Sequence, residues 1–232
     1  MNKKLKAVFF TLALTAGYSA TANAALINSY DFNDDLSDTL GNGLGLTASG
    51  GTVSGGRYNF SGNQGLRLSS ALPSTTDYGI EIGFQMNDSL SGWNKLIDFQ
   101  DLASDLGLYV NNGTIDFYTA GPAGGSVLLN TDFTVGIARS AGIIELFLNG
   151  TSLSSFADGG QAVSGSNILN FFEDDFATGQ GESFVGSADF IRIHNDSTTF
   201  GAEPITVPEP ATFALMGLGL AGIGFSRKRK AA

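Results

Sequence analysis

Residues 133–150 read FTVGIARSAGIIELFLNG. Phe133–Arg139 and Ile143–Leu148 are short runs of strand-forming residues, and Asn149-Gly150 closes the stretch. Asn-Gly between apolar runs marks a tight hairpin, because both central residues must take positive φ. The chain therefore predicts a hairpin over 143–156. Working outward, Asn112-Gly113 marks a second hairpin over 106–119, and Asp158-Gly159-Gly160 is a further turn. Other strand-like runs are Leu26–Phe32, Arg57–Phe60, Leu66–Leu68, Tyr78–Met86, Lys95–Phe99 and Phe184–Ile193. Helical periodicity is scarce between 25 and 200. Many short strands at such spacing predict an all-β sandwich or barrel. About 180 residues bury roughly 70% of their unfolded surface, enough for one core without disulfides.

Composition narrows the function. Of 232 residues, 32 are glycine, about twice the usual share, and no Gly-X-Y period occurs. Hydrophobic residues make up 42% and charged residues 15%, too apolar for a disordered chain. There is no cysteine and one histidine. That excludes a disulfide framework, a thiol nucleophile, Cys-ligated metal centres and any multi-His site.

The two ends read as targeting segments. Residues 1–24 carry Lys3, Lys4 and Lys6, then an apolar run from Ala7 to about Ala16, then Ala22-Asn23-Ala24. This is the pattern of a secretory signal peptide, with signal peptidase expected to cut after Ala24. At the other end, Pro208-Glu209-Pro210 precedes an uncharged apolar run from Ala211 to Phe225. As a helix that run is about 22 Å long, against ~30 Å of hydrocarbon. Its small-residue face suits packing against another helix. Arg227, Lys228, Arg229 and Lys230 follow as a cytoplasmic stop signal, which places the preceding domain outside the cytoplasm. Pro-Glu-Pro, a short apolar helix and a terminal basic cluster, in that order over 207–230, resemble the PEP-CTERM sorting signal. The resemblance implies a Gram-negative bacterium that makes exopolysaccharide. It implies a transient membrane anchor, cleavage by an exosortase-type membrane protease, and delivery to the cell surface or extracellular matrix. The organisation expected is signal peptide 1–24, one domain 25–200, linker 201–210, transmembrane sorting helix 211–226 and basic tail 227–232. Residues 25–207 keep five basic against 21 acidic residues, a charge of about −16. Such a core repels nucleic-acid phosphates, so no nucleic-acid partner is expected.

Within the domain, the order of features is similar to the LamG-like, concanavalin A-like jelly roll. Tyr30-Asp31-Phe32-Asn33-Asp34-Asp35-Leu36-Ser37-Asp38 resembles its first strand and turn. Gly56–Phe60 with Gly65–Leu68 resembles its second strand pair, and Tyr78–Met86 a later strand, without that family's Trp. Phe133–Gly150 resembles its "hvaltrd…vklYvNG" hairpin, with Phe147 in place of Tyr. Gly186–Ile193 resembles the closing strand. The resemblance implies two packed antiparallel sheets, a jelly-roll sandwich whose first and last strands pair.

Three kinds of site follow. The superfamily includes glucanases with a Glu-x-Asp-x-x-Glu run, which this chain lacks. A retaining glycosidase needs two carboxyls about 5–5.5 Å apart. Glu81 and Glu145 read instead as the solvated sides of alternating strands. His194 reads as an exposed strand-end residue, and no Gly-x-Ser-x-Gly elbow accompanies it. A non-enzymatic protein is expected. Asp31, Asp34, Asp35 and Asp38 meet Asp189 if the first and last strands pair. Oxygen ligands of that kind suit one structural calcium, with Asp31, Asp34 and Asp189 as the candidate ligands. The other reading is solvated acid on an acidic surface. Glu173, Asp174, Asp175 and Glu182 form a second acidic loop. Aromatic residues are the third candidate, because an exposed ring stacks on a sugar face. Trp93, the only tryptophan, with Tyr109 and Tyr118 are the candidate ligand-binding residues. Trp93 is equally open to a core-capping reading, and strand tyrosines to packing. The Asn-x-Ser/Thr sequons at Asn87, Asn112, Asn149 and Asn195 read as turn chemistry. The function expected is a carbohydrate-binding, exopolysaccharide-directed module. The alternative is a structural or adhesive matrix protein, with a glycan hydrolase third.

Overall fold

The computed structural model describes residues 25–197. The expected signal peptide with Ala22 and Ala24, Pro208-Glu209-Pro210, the apolar run and the basic cluster from Arg227 to Lys230 lie outside the described residues.

The described residues form two antiparallel sheets and no helix. The first sheet holds β1 (Leu26–Tyr30), β3 (Thr52–Ser54), β4 (Arg57–Phe60), β6 (Tyr78–Met86), β11 (Phe133–Ser140), β12 (Ile143–Leu148), β13 (Thr151–Ala157) and β15 (Gly186–His194). The second holds β2 (Thr47–Ala48), β5 (Leu66–Ser69), β7 (Trp93–Asp98), β8 (Gly107–Asn111), β9 (Thr114–Tyr118), β10 (Gly121–Gly124) and β14 (Ile168–Phe171). The first runs β13-β12-β11-β6-β15-β4-β3, with β1 alongside the far half of β15; the second runs β10-β9-β8-β7-β14-β5-β2. The first and last strands do pair, Tyr30 opposite Ile191 and Ser29 opposite Arg192.

Both Asn-Gly turns form as read. Asn112 and Gly113 have φ of 49° and 77°, and Asn149 and Gly150 have 48° and 74°, joining β8 to β9 and β12 to β13. Positive φ at both central residues matches the strand twist, and Asn and Gly bear it most easily. Ala141 and Gly142 make a third such turn, with φ of 49° and 76°, between β11 and β12. Alanine gives no sequence signal for it; the ladder from Val135–Leu148 to Ser140–Ile143 imposes it.

The core lies between the sheets. Ile80, Ile82, Phe84 and Met86 of β6 pack in one cluster with Leu108, Val110, Ile115, Phe117, Leu169 and Phe171 of the second sheet. Alternation along each strand sends the next residues to the far face. A bulge in β7 at Leu96 shifts the register, so that Lys95 opposes Tyr109 and Ile97 opposes Leu108. Leu96 and Ile97 therefore both enter the core, while Lys95 stays on the outer face.

Candidate carbohydrate-binding face

The register of β7, β8, β9 and β10 builds a grid on the outer face of the second sheet. Trp93 lies opposite Asn111, and Asn111 opposite Thr114. In the next row Lys95 opposes Tyr109, Tyr109 opposes Asp116, and Asp116 opposes Pro122. Beyond it Asp98 opposes Gly107, and Gly107 opposes Tyr118. A period of two thus gathers three aromatic rings that are far apart in sequence. The Trp93 and Tyr109 ring centres are 5.2 Å apart and those of Trp93 and Tyr118 5.5 Å, both edge to face.

Above them opens a cavity of about 490 Å³, lined by Trp93, Asn111, Thr114, Asp116, Tyr118 and Pro122 among others. Trp93 and Tyr118 are partly exposed and line it. Tyr109 does not: it is wholly buried, its hydroxyl donating to Asp105 Oδ1 at 2.9 Å and to the Asp105 carbonyl at 3.0 Å. Burial first, and that hydrogen bond second, hold its phenol well above the usual range. Tyr109 packs edge to face with Trp93 from the neighbouring strand. Asn111 Nδ2 donates to Asp116 Oδ2 at 3.1 Å, while Asp116 Oδ1 is buried with no hydrogen-bond partner. Asn111 and Asp116 escaped the sequence reading. Their signal was position: they flank Asn112-Gly113 on the same strand face as Tyr109.

On the same sheet face, in the row of Tyr109, sits a buried ionic knot. Lys95 Nζ lies 5.0 Å from the centre of the Tyr109 ring. It bonds Asp175 Oδ2, and stands 3.5 Å from Asp174 Oδ1 and 3.7 Å from Asp98 Oδ2. All four side chains are fully buried. Burial pushes the Asp98 carboxyl up, with Lys95 and the Leu102 amide opposing it only in part. Burial also raises Asp175, but the Lys95 bond and the amides of Thr178 and Ala177 outweigh it and hold it below its usual range. Burial and the charges of Asp105 and Asp174 push Glu182 up to about 7. Asp174 and Asp175 of the second acidic loop thus form, with Asp98 of β7, a cage around Lys95, while Glu173 accepts from Ser49 Oγ at 2.9 Å.

The calcium expectation meets a different geometry. Asp31 accepts hydrogen bonds from Ser29 Oγ at 2.9 Å and Thr39 Oγ1 at 3.3 Å. Asp34 is exposed, and Asp189 faces Arg57 at 3.9 Å. Asp38 organises the β1 turn instead, accepting from the amides of Ser29, Leu40, Asn42 and Gly43. Among the described residues no group of three or more His, Asp or Glu side chains is set to hold a metal ion. Each of these carboxylates has its own partner or faces solvent.

Of the carboxylates weighed for catalysis, Glu81 faces Arg192 at 3.5 Å and Glu145 accepts from Ser152 Oγ at 2.6 Å. His194 corrects the sequence reading. It is partly buried at the end of β15, and burial, then Arg192, hold its imidazole below the usual range.

The fold and face define an all-β, two-sheet sandwich with an aromatic pocket on one outer sheet face. Residues 206–230 match the PEP-CTERM protein-sorting motif, so the chain carries that signal. The motif marks it as exported and sorted to the cell surface or matrix, with processing by an exosortase-type protease implied. No curated protein sequence matches the chain. Among solved structures it is similar to domain 4 of AbnA, an extracellular arabinanase from Geobacillus stearothermophilus, in complex with arabinotriose. That likeness is at 18% identity and a TM-score of 0.57, covering 76% of this chain and 95% of that one. It is also similar to Trypanosoma rangeli sialidase in complex with 2,3-difluorosialic acid, at 13% identity and a TM-score of 0.59 over 74% of this chain. A third likeness is to the binding domain of botulinum neurotoxin serotype D, at 14% identity and a TM-score of 0.55 over 74% of this chain. The chain spans 31% of the sialidase and 48% of the neurotoxin domain. At these identities the likeness is one of fold.

Proposed function

We propose that the domain is a non-catalytic carbohydrate-binding module of an exported, matrix-sorted protein, and that it engages exopolysaccharide through the Trp93 face. The observation that carries this reading is the pocket itself. Trp93 and Tyr118 present rings to a concave cavity whose rim holds amide, hydroxyl and carboxylate groups. Rings take up the apolar face of a sugar, and fixed polar groups hold its hydroxyls. The grid is made of paired strands, so the rings are held in place before a ligand arrives, which cuts the ordering cost of binding. The sorting motif brings such a module to a surface or matrix, and the arabinotriose complex of one fold relative is in keeping with it.

The test uses the chain's own probe. Trp93 is the only tryptophan, so its fluorescence reports this pocket directly. Titrating the full chain with exopolysaccharide from a sorting-competent host is expected to give a saturable emission change. In a pull-down on the immobilised polymer, Trp93→Ala is expected to lose at least tenfold in affinity. Absence of binding, or binding untouched by Trp93→Ala, refutes the reading and leaves a structural or adhesive matrix protein.

A further inference from the structure

Resting on that reading, we infer that the pocket selects a glycan carrying a free amine, a de-N-acetylated hexosamine, over its neutral and anionic counterparts. Asp116 is the reason. It is 3% exposed, one carboxylate oxygen is held by Asn111, and the other has no partner. A buried carboxylate oxygen without a donor has given up its hydration with nothing in return until a donor reaches it.

No side chain of the described domain supplies the missing cation. Its five basic residues are all engaged elsewhere. Arg57 pairs with Asp132, Arg67 with Asp101, Arg139 with Asp158 and Arg192 with Glu81, while Lys95 is enclosed by Asp98, Asp174 and Asp175. Asp105, which accepts from the Tyr109 hydroxyl at 2.9 Å, adds negative potential close to the pocket.

A ligand ammonium answers each of these features. It donates a charge-assisted hydrogen bond to Asp116, roughly twice as strong as a neutral one. It also sits against the electron-rich faces of Trp93 and Tyr118, a cation–π contact. A neutral hydroxyl meets the hydrogen bond but leaves the charge unbalanced. A uronate or sulfate brings a second anion to an anionic pocket and is repelled. Amine, then neutral, then anion is the order of affinity that follows.

Three trisaccharides of matched size decide it: a glucosamine trimer, its N-acetylated form, and a galacturonate trimer, each titrated against Trp93 fluorescence of the full chain. Small probes avoid the multivalent adhesion of a polycation to an acidic protein. The glucosamine trimer is expected to bind at least tenfold tighter than the N-acetylated one, and the galacturonate trimer weakest. Asp116→Asn keeps shape and is expected to erase the amine preference while the N-acetylated trimer binds as before. Asp34→Asn removes an exposed acid outside the pocket and is expected to change neither. Melting curves confirm that both variants are folded; should Asp116→Asn melt early, the wild-type ranking of the three probes decides by itself. Equal affinity for the three probes, or an amine preference that survives Asp116→Asn in the folded protein, overturns the inference and leaves the carbohydrate reading standing. No response to any saccharide, exopolysaccharide included, overturns both.

Discussion

Replacing Lys95 with methionine removes the cation that sits among Asp98, Asp174 and Asp175 and keeps the length of the side chain. All three carboxylates are fully buried, with Lys95 Nζ at 3.5 Å from Asp174 and 3.7 Å from Asp98, and directly bonded to Asp175. Breaking a buried ion pair from one side costs about 3–5 kcal/mol, because the partner charge stays buried. Domains of this size shift by about 2–4 °C per kcal/mol, so the loss in melting temperature is roughly 6–20 °C. The variant's carboxylates can escape only by taking up protons. Their folded pKa values then rise above the unfolded ones, so the variant recovers stability as pH falls. Circular-dichroism melts at pH 7 and pH 5 are the assay. The deficit against the parent chain is expected to be large at pH 7 and clearly smaller at pH 5. A shift under about 3 °C, or one of equal size at both pH values, would show that Lys95 does not neutralise the cage and would refute the reasoning. The knot touches the Tyr109 ring, and Tyr109 packs edge to face with Trp93. The same variant should therefore broaden or shift Trp93 emission before the protein unfolds.

Other perturbations have equally definite outcomes. Asp38→Ala strips the acceptor from four amides and from Asn28 Nδ2, and urea titration should show a loss of about 2–4 kcal/mol. Gly107→Ala sets a methyl 2.3 Å from the Ile97 carbonyl, on the neighbouring strand where nothing soft can yield. A cost of about 1–3 kcal/mol is expected, with a displaced Trp93 emission as β7 shifts. Glu182 has a folded pKa raised to about 7, so its contribution to stability is full below the ordinary glutamate range and is lost as pH rises through 7. Glu182→Gln should remove that component, so that the difference in melting temperature between parent and variant changes between pH 4 and pH 8. A constant difference would mean that Glu182 titrates normally.

Much of this was legible along the chain. Asn112-Gly113 and Asn149-Gly150 announced their hairpins, because a turn with two residues at positive φ is a local demand that few residue pairs meet. The long alternating runs of β6, β11 and β15 announced strands. β14 did not. Its four residues, Ile168–Phe171, are too short to show a period, yet they lie between β5 and β7 in the middle of the second sheet. Pairing with distant partners, Asn170 opposite both Arg67 and Asp98, creates that strand. Residue type and local position, Trp93 after Gly92 and the two tyrosines near the first hairpin, single out Trp93, Tyr109 and Tyr118 as candidates. Which of them faces solvent depended on the β7 bulge and on the β8–β9 register.

By itself, then, the amino-acid order determined what rests on local chemistry: an all-β chain without cysteine, its tight turns, a strongly acidic domain and the sorting motif at 206–230. Only the tertiary structure decided what rests on contacts between residues far apart. It buried Lys95 in a cage built from β7 and a loop 80 residues away. It also set Tyr109 edge to face against Trp93 and left Asp116 with an unmet oxygen at a pocket wall. The physical reason is that a charge or a ring acquires its role from the dielectric and the partners around it. Those are fixed by strand register and by sheet packing, and neither is a property of any one stretch of chain.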